Sequence, residues 1–250
     1  MNIALLTNLL IGHLLADFPL QMYAWVKDKQ ERIFCGYGMW IHLIVVFMCE
    51  WAALGKICLL DIALLITMSH ILIDYLKVRF TSNGPIAFAV DQVAHIAILC
   101  CIAKYLPMIS EWHQLSIVPQ EGEVFYPFLA CGYLFCISPA NFIIREILKY
   151  CHVQKSDNEN DEKLTNNIKL SGMLIGSLER CLVLTFILIG SFEAAGLTVA
   201  AKSLLRFKDD ERLRTEYVLI GTLLSILIAV ICALAIFKFG MNATIIKMPK

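Results

Sequence analysis

Residues 57–76 read ICLLDIALLITMSHILIDYL, twenty positions in which only Asp61, His70 and Asp74 ordinarily carry or gain charge near neutral pH. At about 1.5 Å of rise per residue such a helix matches the ~30 Å hydrocarbon core of a bilayer. The apolar run is continuous, so a membrane β-strand with its two-residue alternation is excluded. His70 and Asp74 are spaced i, i+4 and share one helix face. An ionisable group at the bilayer centre costs about 2.5–3.5 kcal/mol or more, so this stretch reads as a membrane helix with a purpose built into one face.

Similar runs recur outward from it: Ile3 to Tyr23, Gly38 to Leu54, Ile86 to Leu106, Phe125 to Ile147, Gly172 to Ile189 and Tyr217 to Phe237, with a shorter piece from Phe192 to Phe207. The fold class they predict is all-α, a polytopic transmembrane helical bundle of seven to eight segments. Composition agrees: 59% of the 250 residues are hydrophobic, against ~45–50% in soluble domains. Met1-Asn2-Ile3 lacks the basic start of a cleaved signal, so the first run reads as a span of the mature chain. The polar stretch HVQKSDNENDEKLTNN divides the chain into an N-terminal five-helix block (residues 1–149), a cytoplasmic loop (150–171) and a C-terminal membrane block (172–250).

Basic residues flank alternate ends of the runs. Lys27, Lys29 and Arg32 follow the first, Lys77 and Arg79 the third, Arg145 and Lys149 the fifth, and Lys202, Arg206 and Lys208 precede the last. By the positive-inside rule both termini lie outside and the basic loops in the cytoplasm. Acidic and basic residues balance at 21 each, so net charge points to no nucleic-acid or polyanion partner. The ten cysteines lack metal-finger spacing, and most lie inside apolar runs as small hydrophobes.

On this topology His13, Asp17 and Gln21 form one stripe near the cytoplasmic end of the first span. His42 opens the second, His70, Asp74 and Lys77 close the third, and Asp91, Gln92 and His95 open the fourth. The four sets share a depth. Imidazole with carboxylate is the donor set of a divalent metal, zinc first and then iron or manganese, with His13, Asp17, His70, Asp74, Asp91 and His95 as ligands. The blander reading has each Asp/His pair neutralise itself and tie two helices together. In the C-terminal block Glu179-Arg180 lies inside a span, and Arg180, Lys202 and Arg206 are cations suited to holding phosphate or carboxylate.

GHLLADFPLQ (12–21), SHILIDYLK (69–77) and DQVAH (91–95) resemble the motifs of an uncharacterised bacterial membrane family, domain of unknown function thirty-three-oh-seven. GSLERCLVL (176–184), AAKSLLRF (200–207) and EYVLIGTLLS (216–225) resemble a C-terminal extension found in many members. The resemblance implies a multi-pass protein of the bacterial inner membrane. It also implies a broad similarity to membrane-bound metal-dependent hydrolases, weakened by Val46 standing one turn after His42 where a second histidine would strengthen it.

The functional expectation is a metal-dependent hydrolase acting on a phosphorylated or lipid-linked small molecule. His42, Asp91 and Glu179 are its catalytic groups; Gln21, Lys77, Gln92, Arg180, Lys202 and Arg206 hold the substrate. The alternatives are a proton- or cation-coupled transporter or channel, which requires polar groups continuing to the outer leaflet, and a sensor or scaffold using the polar loop. The expected partners are the bilayer, the small-molecule substrate and a second copy of the chain in a homo-oligomer.

Overall fold

The computed structural model describes residues 2–80, 84–112, 125–150, 162–206 and 212–241, and within these the side chains at 108–112, 162–170, 203–206, 212–218 and 241 are not described. His113, His152, the polar-loop segment 151–161 and the side chain of Arg206 therefore lie outside the described residues. Everything described is helix or short connection, which bears out the all-α reading.

The first unit is built on Met1–Cys131. Its helices are α1 (Ile3–Asp17), α2 (Tyr23–Arg32), α3 (Tyr37–Leu54), α4 (Leu60–Phe80) and α5 (Pro85–Trp112), and α6 (Phe125–Ile137) starts in it. The first span was expected to run to Tyr23, but α1 stops at Asp17. Pro19 has no N–H to return to Leu15, whose carbonyl instead accepts from Leu20 at 3.1 Å. The chain then forms α2, a helix where only a basic connection was expected. At its start α1 is capped by Asn2, whose Oδ1 accepts from the Leu5 amide at 2.9 Å. At the end of α3 Gly55 takes the left-handed conformation (φ 68°), and its N–H caps Trp51 and Ala52.

The four long helices of this unit each carry one inward stripe with two chemistries. On α1 it runs Leu5, Leu9, His13, Asp17; on α3 His42, Val46, Glu50, Leu54; on α4 Ala63, Ile66, His70, Asp74; on α5 Asp91, His95, Leu99, Ala103. Side chains four apart stack on one helix face. The aliphatic halves meet as a core of Leu5, Leu9, Leu54, Ala63, Ile66 and Leu99, and the polar halves meet at the other end. Opposite the stripe, Leu64, Leu65, Met68 and Leu72 of α4 are exposed and form an apolar face.

The second unit is Gly132–Phe239. It comprises the end of α6, α7 (Pro139–Tyr150), α8 (Glu162–Leu188), α9 (Phe192–Arg206) and α10 (Arg212–Ala235), which continues as a π-turn over Ile236–Met241. The fifth run was expected as one helix, but Ser138-Pro139 breaks it into α6 and α7, because proline cannot donate to the turn before it. The Ile137 carbonyl accepts from Asn141 Nδ2 at 2.7 Å and Ser177 Oγ at 2.9 Å.

Among the described residues six stretches are long and apolar enough to cross a membrane: Tyr37–Leu54, Ile57–Phe80, Pro85–Pro107, Phe125–Tyr150, Ser171–Leu188 and Leu219–Gly240. The sequence reading counted seven to eight. The difference is α1 and α9, at 15 residues each, about 22 Å of helix against a ~30 Å core. The chain is a helical multi-pass membrane protein on the strength of those six.

Candidate metal centre

Seven of the ionisable residues singled out in the N-terminal runs converge at the polar end of the first unit. His13, His42, His70, Asp74, Asp91 and His95 are buried and Asp17 nearly so. All four histidines face the carboxylates through Nε2. His70 Nε2 lies 3.1 Å from Asp17 Oδ1, and His42 Nε2 lies 3.4 Å from both Asp17 Oδ1 and Asp74 Oδ2. The two Nε2 atoms of His42 and His70 are 3.2 Å apart. His95 Nε2 lies 3.6 Å from Asp91 Oδ1 and 3.9 Å from Asp74 Oδ1, and its ring stacks on His70 at 3.9 Å between centroids. His13 sits 3.8 Å from Asp17, with its ring 5.1 Å from that of His95.

These spacings suit a metal. Zinc bonds of about 2.0–2.1 Å in a tetrahedron place ligand atoms about 3.3–3.4 Å from one another. His42 Nε2, His70 Nε2 and Asp17 Oδ1 form a triangle with edges of 3.2, 3.4 and 3.1 Å, one face of such a tetrahedron. Three groupings of three ligands are close enough to share an ion: His13, Asp17 and His70; His42, His70 and Asp74; Asp74, Asp91 and His95. The short distances are not all hydrogen bonds. Asp17 Oδ1, Asp91 Oδ1 and His95 Nε2 are buried without a hydrogen-bond partner among the described residues. A buried polar atom without a partner costs about 1–3 kcal/mol, which a coordinated cation would relieve.

Two ammonium groups meet the carboxylates: Lys77 lies on Asp91 (2.8 Å) and Lys29 on Asp74 (2.7 Å). Lys77 was expected here and lies at the rim, 34% exposed. Lys29 was not expected: read as a loop cation, it is 6% exposed and arrives on α2. Asp28 beside it accepts the Gly38 amide at 2.7 Å, which fixes α2 against the start of α3. No local signal distinguishes Lys29 from Lys27, because only the turn at Pro19 brings α2 over the site.

The expected glutamines are both present, one by an unexpected route. Gln92 reaches His13 Nε2 (3.3 Å), Asp17 (3.4 Å) and Asp91 (3.3 Å). Gln21 was placed on a stripe continuing α1, yet it reaches His42 from the turn after that helix. With its carbonyl turned inward it accepts from Lys29 Nζ (2.9 Å) and His42 (3.3 Å), and its amide donates to the Asp17 backbone carbonyl (3.2 Å).

Sequence reasoning passed over Glu50. It lies two turns beyond His42 on the same stripe, 0% exposed, and neither carboxylate oxygen has a partner among the described residues. A lone acid in an apolar run was the available signal. Glu179, Arg180 and Lys202 belong to the second unit. The sequence leads one to expect an intramembrane ion pair there, between Glu179 and Arg180 or with partners from the first half of the chain. Instead Glu179 pairs with Lys202, and Arg180 donates to neutral oxygens of Cys136, Asn141, Ser177 and Ser225. Adjacent residues on a helix point about 100° apart, so they serve different neighbours.

Residues 5–122 match a family described as a protein of unknown function (DUF3307), a stretch that contains every residue of the His/Asp cluster and just under half of the chain. No curated protein and no solved structure matches the chain, so the similarity to metal-dependent hydrolases has no matched protein behind it.

Proposed function

We propose that this protein resides in a bacterial cytoplasmic membrane and holds one or two divalent ions, zinc first and iron or manganese next, at the cytoplasmic side of its first unit, as a hydrolase of phosphorylated or lipid-linked small molecules. The observation that carries the metal assignment is the His42, His70 and Asp17 triangle, with all edges between 3.1 and 3.4 Å. A bound divalent ion supplies Lewis acidity and a water activated near neutral pH. Around it the chain's own groups divide the work. Gln92 orients His13 and Asp17, Lys29 holds Asp74, and Gln21 supports His42, as neighbours that fix ligand geometry do in metal sites. Asp91, which stands outside that triangle, takes up the proton, and Lys77 at the rim orients an anionic group on the substrate.

The test is metal content together with turnover. Purified protein should carry at least one divalent ion per chain and release phosphate from a lipid-linked phosphoester, and Asp17→Asn should remove both. Protein that hydrolyses such esters after complete chelation, or that never takes up metal, overturns the reading.

A second reading is cation- or proton-coupled transport, and Glu50 favours it. Transport needs polar groups beyond the cluster toward the other face, and Glu50 stands about 12 Å past His42 by helix rise. Flux in liposomes abolished by both Glu50→Gln and Asp91→Asn would establish it over hydrolysis.

A further inference from the structure

Helix α2 lies against the cluster with almost no apolar contact of its own. Of its ten residues only Asp28 and Lys29 are buried, and each is held to another helix by a polar bond. Lys29 Nζ donates to Asp74 Oδ2 (2.7 Å), and Asp28 Oδ2 accepts from the Gly38 amide (2.7 Å). A segment with so few buried apolar contacts opens at far lower free energy than the core it rests on. The cluster itself is sealed. His42 and His70 are 2% and 4% exposed, so neither an ion nor a substrate reaches their Nε2 atoms from solvent in this conformation. His42 Nε2 lies 3.4 Å from the same Asp74 Oδ2 that Lys29 holds, and Gln21, in the turn leading into α2, bonds His42. Lifting α2 withdraws both side chains from this corner of the cluster.

The joint at the far end of α2 is strained. Ile33 has φ 49° and ψ −116°, and among the described residues no other non-glycine residue has a positive φ. Glycine enters that region freely, whereas a β-branched residue there is an outlier. The chain just beyond is fixed: the Phe34 carbonyl accepts from Trp40 Nε1 (3.0 Å), and the Phe34 ring stacks on Tyr75 at 5.4 Å. Backbone strain persists only where surrounding contacts impose it, and it gathers at switch regions and ligand clamps. Here the imposing contacts are those of Asp28 and Lys29 on one side of Ile33 and of Phe34 on the other.

We propose that α2 is a gate over the cluster, hinged at Ile33 and latched by Lys29 on Asp74, and that it lifts to admit what binds at His42 and His70. The gate rests on the metal reading only for the identity of what passes, a divalent ion and the substrate that follows it. Release of the Lys29 bond frees α2, and relief of the Ile33 backbone favours the open position. Closure returns Lys29 to Asp74 and Gln21 to His42, which completes the site around a bound ion.

The experiment uses the full chain, freed of metal, in neutral detergent. It is treated with diethylpyrocarbonate, and carbethoxylation of His42 and His70 is timed by peptide mass spectrometry. Lys29→Met breaks the latch and should speed the reaction about a hundredfold. Ile33→Gly removes the strain that favours opening and should slow it about fivefold or more. Leu54→Ala weakens the aliphatic core away from α2 and should leave the rate unaltered, which separates lifting of α2 from unfolding of the whole unit. Equal acceleration in Leu54→Ala and Lys29→Met overturns the proposal, as does a folded Lys29→Met protein with an unaltered rate. Should Lys29→Met not fold, Ile33→Gly decides alone: slowing supports the gate, and an equal or faster rate overturns it. Zinc release from the loaded chain into excess chelator should follow the same order. A chain that takes up no zinc refutes the metal reading, while carbethoxylation still decides the gate.

Discussion

His70 is the side chain on which the metal assignment turns. It belongs to two of the three ligand groupings and forms one corner of the His42, His70 and Asp17 triangle. His95 belongs only to the third, with Asp74 and Asp91. Changing a residue that merely orients a ligand weakens metal affinity about 10–100-fold. Deleting a ligand should exceed that, so His70→Ala should lose more than 100-fold, about 2.7 kcal/mol. His95→Ala leaves the triangle whole and should cost less. The loss of His70 also removes the imidazole closest to Asp17 and the ring stacked on His95, so helicity by circular dichroism must accompany the assay. Elemental analysis would give metal per chain, and zinc titration against a chromophoric chelator would give affinity. A folded His70→Ala protein with unaltered metal content and affinity refutes the reasoning. Loss in His95→Ala with retention in His70→Ala moves the ion to the other grouping.

Lys29→Met strands the Asp74 carboxylate. Breaking a buried pair costs about 3–5 kcal/mol, so the metal-free variant should melt about 6–20 °C lower, and zinc should close most of the gap because a second cation replaces the lost ammonium. A gap that persists unaltered in saturating zinc would count against Asp74 as a ligand. Glu50→Met exchanges an acid without partners for an apolar side chain of similar length. It should stabilise the protein by about 1–3 kcal/mol, read as a higher melting temperature with metal content unaltered; a lower melting temperature would show that Glu50 has a partner. Gly38→Ala would drive a methyl group into the Trp25 backbone carbonyl and against Asp28, an overpacking worth about 1–3 kcal/mol. It should loosen α2 and speed tryptic cleavage at Lys27 and Arg32, whereas an unaltered cleavage rate would mean α2 is held elsewhere.

The sequence by itself determined that the chain is helical and multi-pass, and which residues of α1, α3, α4 and α5 share a depth. Both follow from local facts: the length of an apolar run against a bilayer, and the helical period that puts His13 over Asp17, His70 over Asp74 and Asp91 over His95. What the tertiary structure decided is everything that depends on a neighbour. Pro19 ends α1 early, so the next segment folds back as α2 and buries Lys29 on Asp74, while Lys27 on the same helix stays in the open. Glu179 and Arg180, adjacent in sequence, part company because they point to different helices. Glu50 is in sequence a lone acid in an apolar run, and only the tertiary packing buries it with its oxygens unpartnered among the described residues. Periodicity is a property of one helix, whereas burial and charge balance belong to several at once, which is why the clustered His and Asp residues were legible and the residues that complete the cluster were not.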